Sequence, residues 1–177
     1  QQAAYTHVFL QGGVGGLAAG VVAYWWEHAG AARPKFIVVE PEQADCLWQS
    51  AVHGQASVTQ GSVDSIMAGL ACGATSPLAW RFLDSSVDAF MTVSDDEAIT
   101  AMRQLAAGSE RDIPVLAGES GVAGLAALNQ LAANKQQMAA LGLDEHARVL
   151  FISSEGATAP SVYAKAVGET AEAVLAR

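Results

Sequence analysis

Gln11-Gly12-Gly13-Val14-Gly15-Gly16-Leu17-Ala18 is the stretch on which the reading of this chain turns. It follows an apolar run of strand length, residues 5–10, and leads into an apolar stretch of helical length, residues 15–28. Glycines let the main chain approach a ligand closely. At a strand-to-helix junction, the unpaired N–H groups of the first helical turn point outward with the positive end of the helix dipole behind them. Together these make an anion site, with phosphate the natural ligand. A tight turn without a ligand is the plainer alternative, and four glycines among residues 12–16 weigh against it.

Which phosphate is bound stays open on this stretch alone. Gly13-Val14-Gly15-Gly16-Leu17-Ala18 also satisfies G-x-G-x-x-A, the dinucleotide fingerprint. Glu40 ends the next predicted strand, near the position where a dinucleotide fold carries its ribose-binding acid. An NAD-binding Rossmann-type domain is therefore a competing reading.

Outward from the loop, residues 35–40 and 148–152 are further apolar, β-branched runs, and residues 87–93 form a weaker one. Their unbroken hydrophobicity predicts strands covered on both faces, as in a parallel sheet. Helices are predicted over residues 95–107, 120–134 and 160–176, the last opening on a proline. Residues 54–77, rich in Gly, Ser and Thr, predict loops around a short helix near residues 62–70. The alternation predicts an α/β fold, a mostly parallel sheet flanked by helices, in a single domain spanning residues 1–177.

Composition narrows the function. The 177 residues are 51% hydrophobic and 15% charged, with a net charge of -9 and nine scattered Lys and Arg. No basic run exists to hold a nucleic acid or an anionic membrane, so an anionic ligand needs a local site. No apolar run reaches the roughly 20 residues of a membrane span, and Gln1-Gln2-Ala3-Ala4 carries no leader pattern, which gives the expectation of a cytoplasmic protein. Two cysteines and four separated histidines have no metal-ligand spacing. Cys46 and Cys72 fall in one irregular segment, close enough in prospect for a bridge, although a cytosolic setting disfavours one. The chain opens without Met directly on a strand pattern, so a C-terminal fragment of a longer enzyme is expected.

The segments at residues 6–19, Ile37-Val38-Val39-Glu40-Pro41, Ile66-Met67-Ala68-Gly69-Leu70-Ala71-Cys72-Gly73, Gly118-Glu119-Ser120-Gly121 and Ile152-Ser153-Ser154-Glu155-Gly156 occur in a telling order. In that order the chain resembles the C-terminal half of the diaminopropionate ammonia-lyases. These are fold type II pyridoxal-phosphate enzymes, related to threonine dehydratases and serine racemases. The resemblance implies the large cofactor-binding domain of that fold, pyridoxal 5'-phosphate as cofactor, and lyase chemistry converting the small amino acid 2,3-diaminopropionate to pyruvate and ammonia. With the N-terminal half missing, a chain 51% hydrophobic and 15% charged should expose apolar surface, which gives the expectation of a homo-oligomer.

Residue by residue, the resemblance assigns the cofactor phosphate to Gly12, Gly13, Val14, Gly15 and Gly16. It sets Ser154, or Ser153 if the alternation runs the other way, against the pyridine nitrogen, and lines the cleft with Glu119 and Ser120. From the residues alone, Ser153 and Ser154 read equally as a cap or turn, and Ser120 as a helix N-cap beside an exposed Glu119. Ala157-Thr158-Ala159 departs from the acidic residues common there in the family. Lys35, Lys135 and Lys165 all stand outside the family's Schiff-base context. Hence no catalytic residue is expected in this chain, the cofactor is held non-covalently at most, and the natural partner is the missing N-terminal half. A threonine dehydratase-like or serine racemase-like lyase fragment, a non-catalytic phosphate binder and an assembly module are the remaining alternatives.

Overall fold

A computed structural model describes residues 4–177; Gln1 to Ala3, part of the stretch read for a leader pattern, lie outside the described residues. Four strands, β1 (His7–Gln11), β2 (Lys35–Pro41), β3 (Ala89–Val93) and β4 (Val149–Phe151), form one parallel sheet in the order β3-β2-β1-β4. The registers are set by pairs such as Phe9 with Ile37, Phe9 with Phe151, and Val39 with Met91. Every residue of β1 is buried, as the continuous apolar run requires of a strand covered on both faces.

Successive side chains of a strand leave on opposite faces, and that period of two divides the core. Val8, Leu10, Phe36 and Val38 pack with α1 (Gly16–Ala29), α2 (Cys46–His53) and α3 (Pro77–Leu83) through Val22, Leu47, Trp80 and Leu83. Phe9, Ile37 and Val39 face the other way, toward α4 (Asp95–Ala107), α5 (Ala123–Ala132), α7 (Pro160–Val167) and α8 (Ala171–Leu175), meeting Met102, Leu131, Tyr163 and Val174. Met138 and Leu141 of α6 (Lys135–Leu141) pack at the margin of this second cluster. Each fully buried Leu, Ile or Phe contributes about 1.5–3 kcal/mol. The two clusters thus clamp the sheet from both sides in three layers. Among the described residues, no helix is long and apolar enough to cross a membrane.

The structure refines the predicted elements at points where the backbone has a reason. The helix expected over residues 160–176 is two, because Gly168 adopts φ 94° and Thr170 caps a fresh start by accepting from the Ala173 N–H. The one expected over residues 120–134 starts later, at Ala123, and gives way to α6 at Asn134, whose side chain accepts from the Gln137 N–H. In the irregular segment the expected short helix contracts to one 3-10 turn, Ala68–Leu70. Helices α2 and α3 bracket that segment and were not anticipated.

Candidate functional site

The chain runs from β1 outward to β2 and β3, then returns to lay β4 on the other side of β1. The loops leaving the carboxyl ends of β1 and β4 therefore diverge. A crevice opens at that switch of direction, where open parallel sheets bind ligands. A cavity of about 450 Å³ occupies it. One wall is Gln11, Gly12, Gly13, Val14, Gly16 and Leu17; the opposite wall is Ser154, Glu155 and Thr158. Gly69, Leu70, Cys72 and Ser120 close the sides.

In the glycine wall the acceptors are engaged by the protein and most of the donors are not. The Gly12 carbonyl accepts from the Gly15 N–H at 3.1 Å, the Val14 carbonyl from the Ser76 N–H at 3.0 Å, and the Gly15 carbonyl from the Ala19 N–H at 2.8 Å. The Gly13 carbonyl takes the Cys46 thiol, with Sγ at 3.3 Å. Every carbonyl from Gly12 to Gly15 is thus engaged by the protein. By contrast, the N–H groups of Gly13, Val14, Gly16 and Leu17 have no acceptor among the described residues. Helix α1 adds to this polarity, since it starts with no side-chain cap and no acidic residue in its first turn. An anion seated here would meet several N–H donors and the positive end of a helix of 14 residues.

Two glycines of the loop do different work. A Cβ at Gly16 would meet nothing within 4 Å, so the glycine there keeps space open on the cavity side. At Gly15, φ is 102° and a Cβ would sit 3.0 Å from both Ala79 and Leu83. Gly15 packs against α3, and it is not among the cavity-lining residues. The loop as a whole was assigned to the phosphate from sequence; in the structure Gly12, Gly13, Val14 and Gly16 line the cavity, whereas Gly15 braces the loop on α3.

The opposite wall is tied together by long-range hydrogen bonds. Gln11 donates from Nε2 to the carbonyls of Gly121 (3.1 Å) and Ile152, which joins the end of β1 to α5's lead-in and to the exit of β4. Glu155 accepts from the Ser120 N–H at 2.6 Å, and its other oxygen lies 3.4 Å from the Thr158 hydroxyl. Ser120 Oγ in turn accepts from the Gly69 N–H at 3.1 Å. Ser120 does not cap a helix, because α5 begins at Ala123 with no side-chain cap. Ser154 lines the cavity, whereas Ser153 is exposed outside it. Glu119 is buried rather than exposed and is not a lining residue; its Oε1 has no partner among the described residues.

Sequence reasoning did not single out Glu155, Gln11 or Thr158. Gln11 acts through contacts across more than a hundred residues of chain, to Gly121 and Ile152, and Glu155 through one across 35, to Ser120. None of the three lysines lines the cavity; Lys35 Nζ instead donates to the Leu141 carbonyl at the other end of the strands. Cys46 and Cys72 flank Gly13 but both thiols are free, so the bridge their shared segment allowed is not formed. Burial pushes the Cys46 thiol up to about 11.

Glu40 bears on the dinucleotide reading. It is fully buried, and its carboxylate accepts from the N–H groups of Leu47 (2.9 Å) and Trp48 (2.8 Å) at the start of α2. Both oxygens cap that helix, and a side chain with no exposed surface is out of reach of a ribose hydroxyl. Burial raises its pKa to about 7, with the two N–H groups pulling it back down. Glu40 also explains Gly12, where a Cβ would fall 2.5 Å from Glu40 Cγ.

Comparison with known proteins gives a consistent answer. A family described as "Pyridoxal-phosphate dependent enzyme" matches residues 1–155. The diaminopropionate ammonia-lyase of Salmonella typhimurium is 42% identical over 164 residues, which make up 89% of this chain and 41% of that protein. The crystal structure of Escherichia coli diaminopropionate ammonia-lyase in complex with D-serine has a TM-score of 0.85 at 36% identity, covering 97% of this chain and 43% of that one. The same enzyme in complex with an aminoacrylate-PLP azomethine reaction intermediate gives 0.82 at 37% identity, covering 97% and 44%. The chain thus spans about two fifths of the length of these relatives.

Proposed function

Because the chain belongs to the pyridoxal-phosphate-dependent enzyme family, we propose that it is the phosphate-holding domain of a carbon–nitrogen lyase that converts 2,3-diaminopropionate to pyruvate and ammonia. The observation that carries this reading is the polarity of the glycine wall, with every carbonyl from Gly12 to Gly15 engaged by the protein and the N–H groups of Gly13, Val14, Gly16 and Leu17 left over at a cavity. That is the donor set a phosphate dianion needs, and it requires no charged side chain. When bound, pyridoxal phosphate supplies an electron sink for bonds at the substrate's α carbon.

The residues of this chain then hold and orient. Gly12 to Gly16 seat the phosphate, Gly15 by fixing the loop on α3. Ser154 presents a neutral hydroxyl to the ring nitrogen, in preference to Ser153, which stands outside the cavity. Ser120 shapes the cleft through its bond to Gly69, with the buried Glu119 behind it. Residues 1–177 act as one α/β domain, the C-terminal part of a longer cytoplasmic enzyme. A lysine from outside these 177 residues makes the covalent attachment, so the chain alone is inactive. Self-association fits the exposed apolar pairs one turn apart, Trp48 with Val52 on α2 and Leu78 with Phe82 on α3; sedimentation at a single chain's mass over a broad concentration range would remove it.

The reading is tested by titrating the chain with pyridoxal 5'-phosphate and with pyridoxal, then reducing with borohydride and mapping the label. The phosphate ester should bind, pyridoxal should bind at least tenfold more weakly by loss of about 1.4 kcal/mol or more, and no single lysine should be labelled. Equal binding of both, or stoichiometric label on Lys35, Lys135 or Lys165, would contradict it.

A further inference from the structure

We propose that Glu155 is a specificity residue of this cavity, the charge partner of a cationic nitrogen on the bound ligand. This rests on the cavity holding a pyridoxal phosphate and goes beyond it, because the cradle for the phosphate says nothing about the ligand's other end.

The argument begins with an inventory. Among the residues lining the cavity, Glu155 is the one with an acidic or basic side chain, counting Asp, Glu, Lys, Arg and His. Its charge is negative, in a cavity whose opposite wall is built to receive an anion. A carboxylate facing a phosphate site without a purpose would repel the ligand, so its presence calls for a positive group between the two. The protein does not supply one: of the ion pairs formed among the described residues, none includes Glu155.

Glu155 is also held in place and left with capacity. Its carboxylate accepts from the Ser120 N–H at 2.6 Å and lies 3.4 Å from the Thr158 hydroxyl. A carboxylate has about four acceptor positions, so roughly two remain. Its backbone is fixed as well, since the Gly118 N–H donates to the Glu155 carbonyl at 2.8 Å. A Cβ at Gly121 would fall 2.9 Å from that same carbonyl oxygen. The result is a fixed acceptor of negative charge across the cavity from a fixed cluster of N–H donors. Such a cavity selects a dipolar ligand, phosphate at one end and protonated nitrogen at the other. The amine at the 4' carbon of a pyridoxal-phosphate ligand fits that chemistry, the ring nitrogen being given to the neutral Ser154 hydroxyl.

Calorimetry on the wild-type chain, Glu155→Gln and Glu155→Asp tests this with three probes: inorganic phosphate, pyridoxine 5'-phosphate and pyridoxamine 5'-phosphate. Glutamine keeps an acceptor for the Ser120 N–H, and thermal melts of each variant check that the fold is retained. Glu155→Gln should weaken pyridoxamine phosphate by roughly tenfold or more, the range of one hydrogen bond to a charged group. It should leave inorganic phosphate unchanged or slightly tighter, since a repelling charge is gone. Glu155→Asp, which keeps the charge, should lose less. Pyridoxine phosphate, which keeps the ring nitrogen but lacks the amine, should be spared; equal weakening of both pyridine ligands would overturn the pairing of Glu155 with the amine. Affinities for all three probes that move together, or none that moves, would overturn the assignment of Glu155 while leaving the phosphate seat intact. Wild-type protein that binds neither pyridine ligand better than inorganic phosphate would overturn the pyridoxal-phosphate reading itself.

Discussion

Three helices of this chain begin in three different ways. At α4 the start is satisfied locally: Ser94 accepts from the Glu97 N–H, Glu97 reaches back to the Ser94 N–H at 2.7 Å, and Asp95 and Asp96 add negative charge to the first turn. At α2 it is satisfied from a distance, by the carboxylate of Glu40 at the end of β2. At α1 it is not satisfied by the protein, for Gly15 has no side chain, the first turn has no acid, and the free N–H groups border a cavity. Four N–H groups at the start of any helix need partners. A start that is left open, next to starts that are closed so thoroughly, is where an external anion belongs.

The strongest way to break this comparison is at Gly15. A β-branched residue there would combine a left-handed backbone, which costs on the order of 1–2 kcal/mol, with overpacking against Ala79 and Leu83, which costs about 1–3 kcal/mol more. Gly15→Val should therefore lower stability by roughly 2–5 kcal/mol in urea unfolding. Loss of ligand binding in that variant follows from the damaged loop. A stability within about 0.5 kcal/mol of wild type would mean that the loop is not braced on α3 as described.

The start of α2 gives a pH signature that the other two lack. The Glu40 pKa, raised to about 7 by burial, lies above its ordinary value of 4.5. Between those values the folded chain keeps a proton that the unfolded chain has released. Stability should therefore fall as pH rises through that window and level off above it. The span corresponds to a contribution on the order of 3 kcal/mol. Glu40→Gln should remove that slope, read as the difference between the two proteins' stability-versus-pH curves. Parallel curves would show that Glu40 is ionised throughout and that the helix start pulls its pKa down more than burial pushes it up.

What could be read from the sequence follows the same division. The capping box of α4 lies within four consecutive residues, so the predicted and observed helix agree at residues 95–107. The glycine loop is equally local, and its place between β1 and α1 was legible from hydrophobic runs on either side. Helix α2 was not, because its cap comes from Glu40 and its own first turn carries no acidic residue. Helix α3 did leave a signal, Ser76 before Pro77, which a Gly- and Ser-rich neighbourhood obscured. The far wall of the cavity was the least legible. Ser120 and Ser154 were proposed from resemblance, but Glu155 enters the cavity through bonds to the Ser120 main chain and Thr158, and Gln11 through the Gly121 and Ile152 carbonyls. The Ser120, Gly121 and Ile152 pairings exist only once the sheet has brought β4 beside β1.

The central claim is that the open start of α1 is a phosphate seat, and Gly16 tests it most directly because nothing else depends on that position. A Cβ there would meet no atom within 4 Å, and the backbone is not in the left-handed region, so the fold should tolerate a side chain. Calorimetric titration of pyridoxine 5'-phosphate into wild type and Gly16→Val, with thermal melts of both, is the measurement. The account predicts at least a tenfold loss of affinity, about 1.4 kcal/mol, with the melting midpoint little changed. Equal affinity in the two proteins, both folded, would contradict it and reduce the glycine run to a turn.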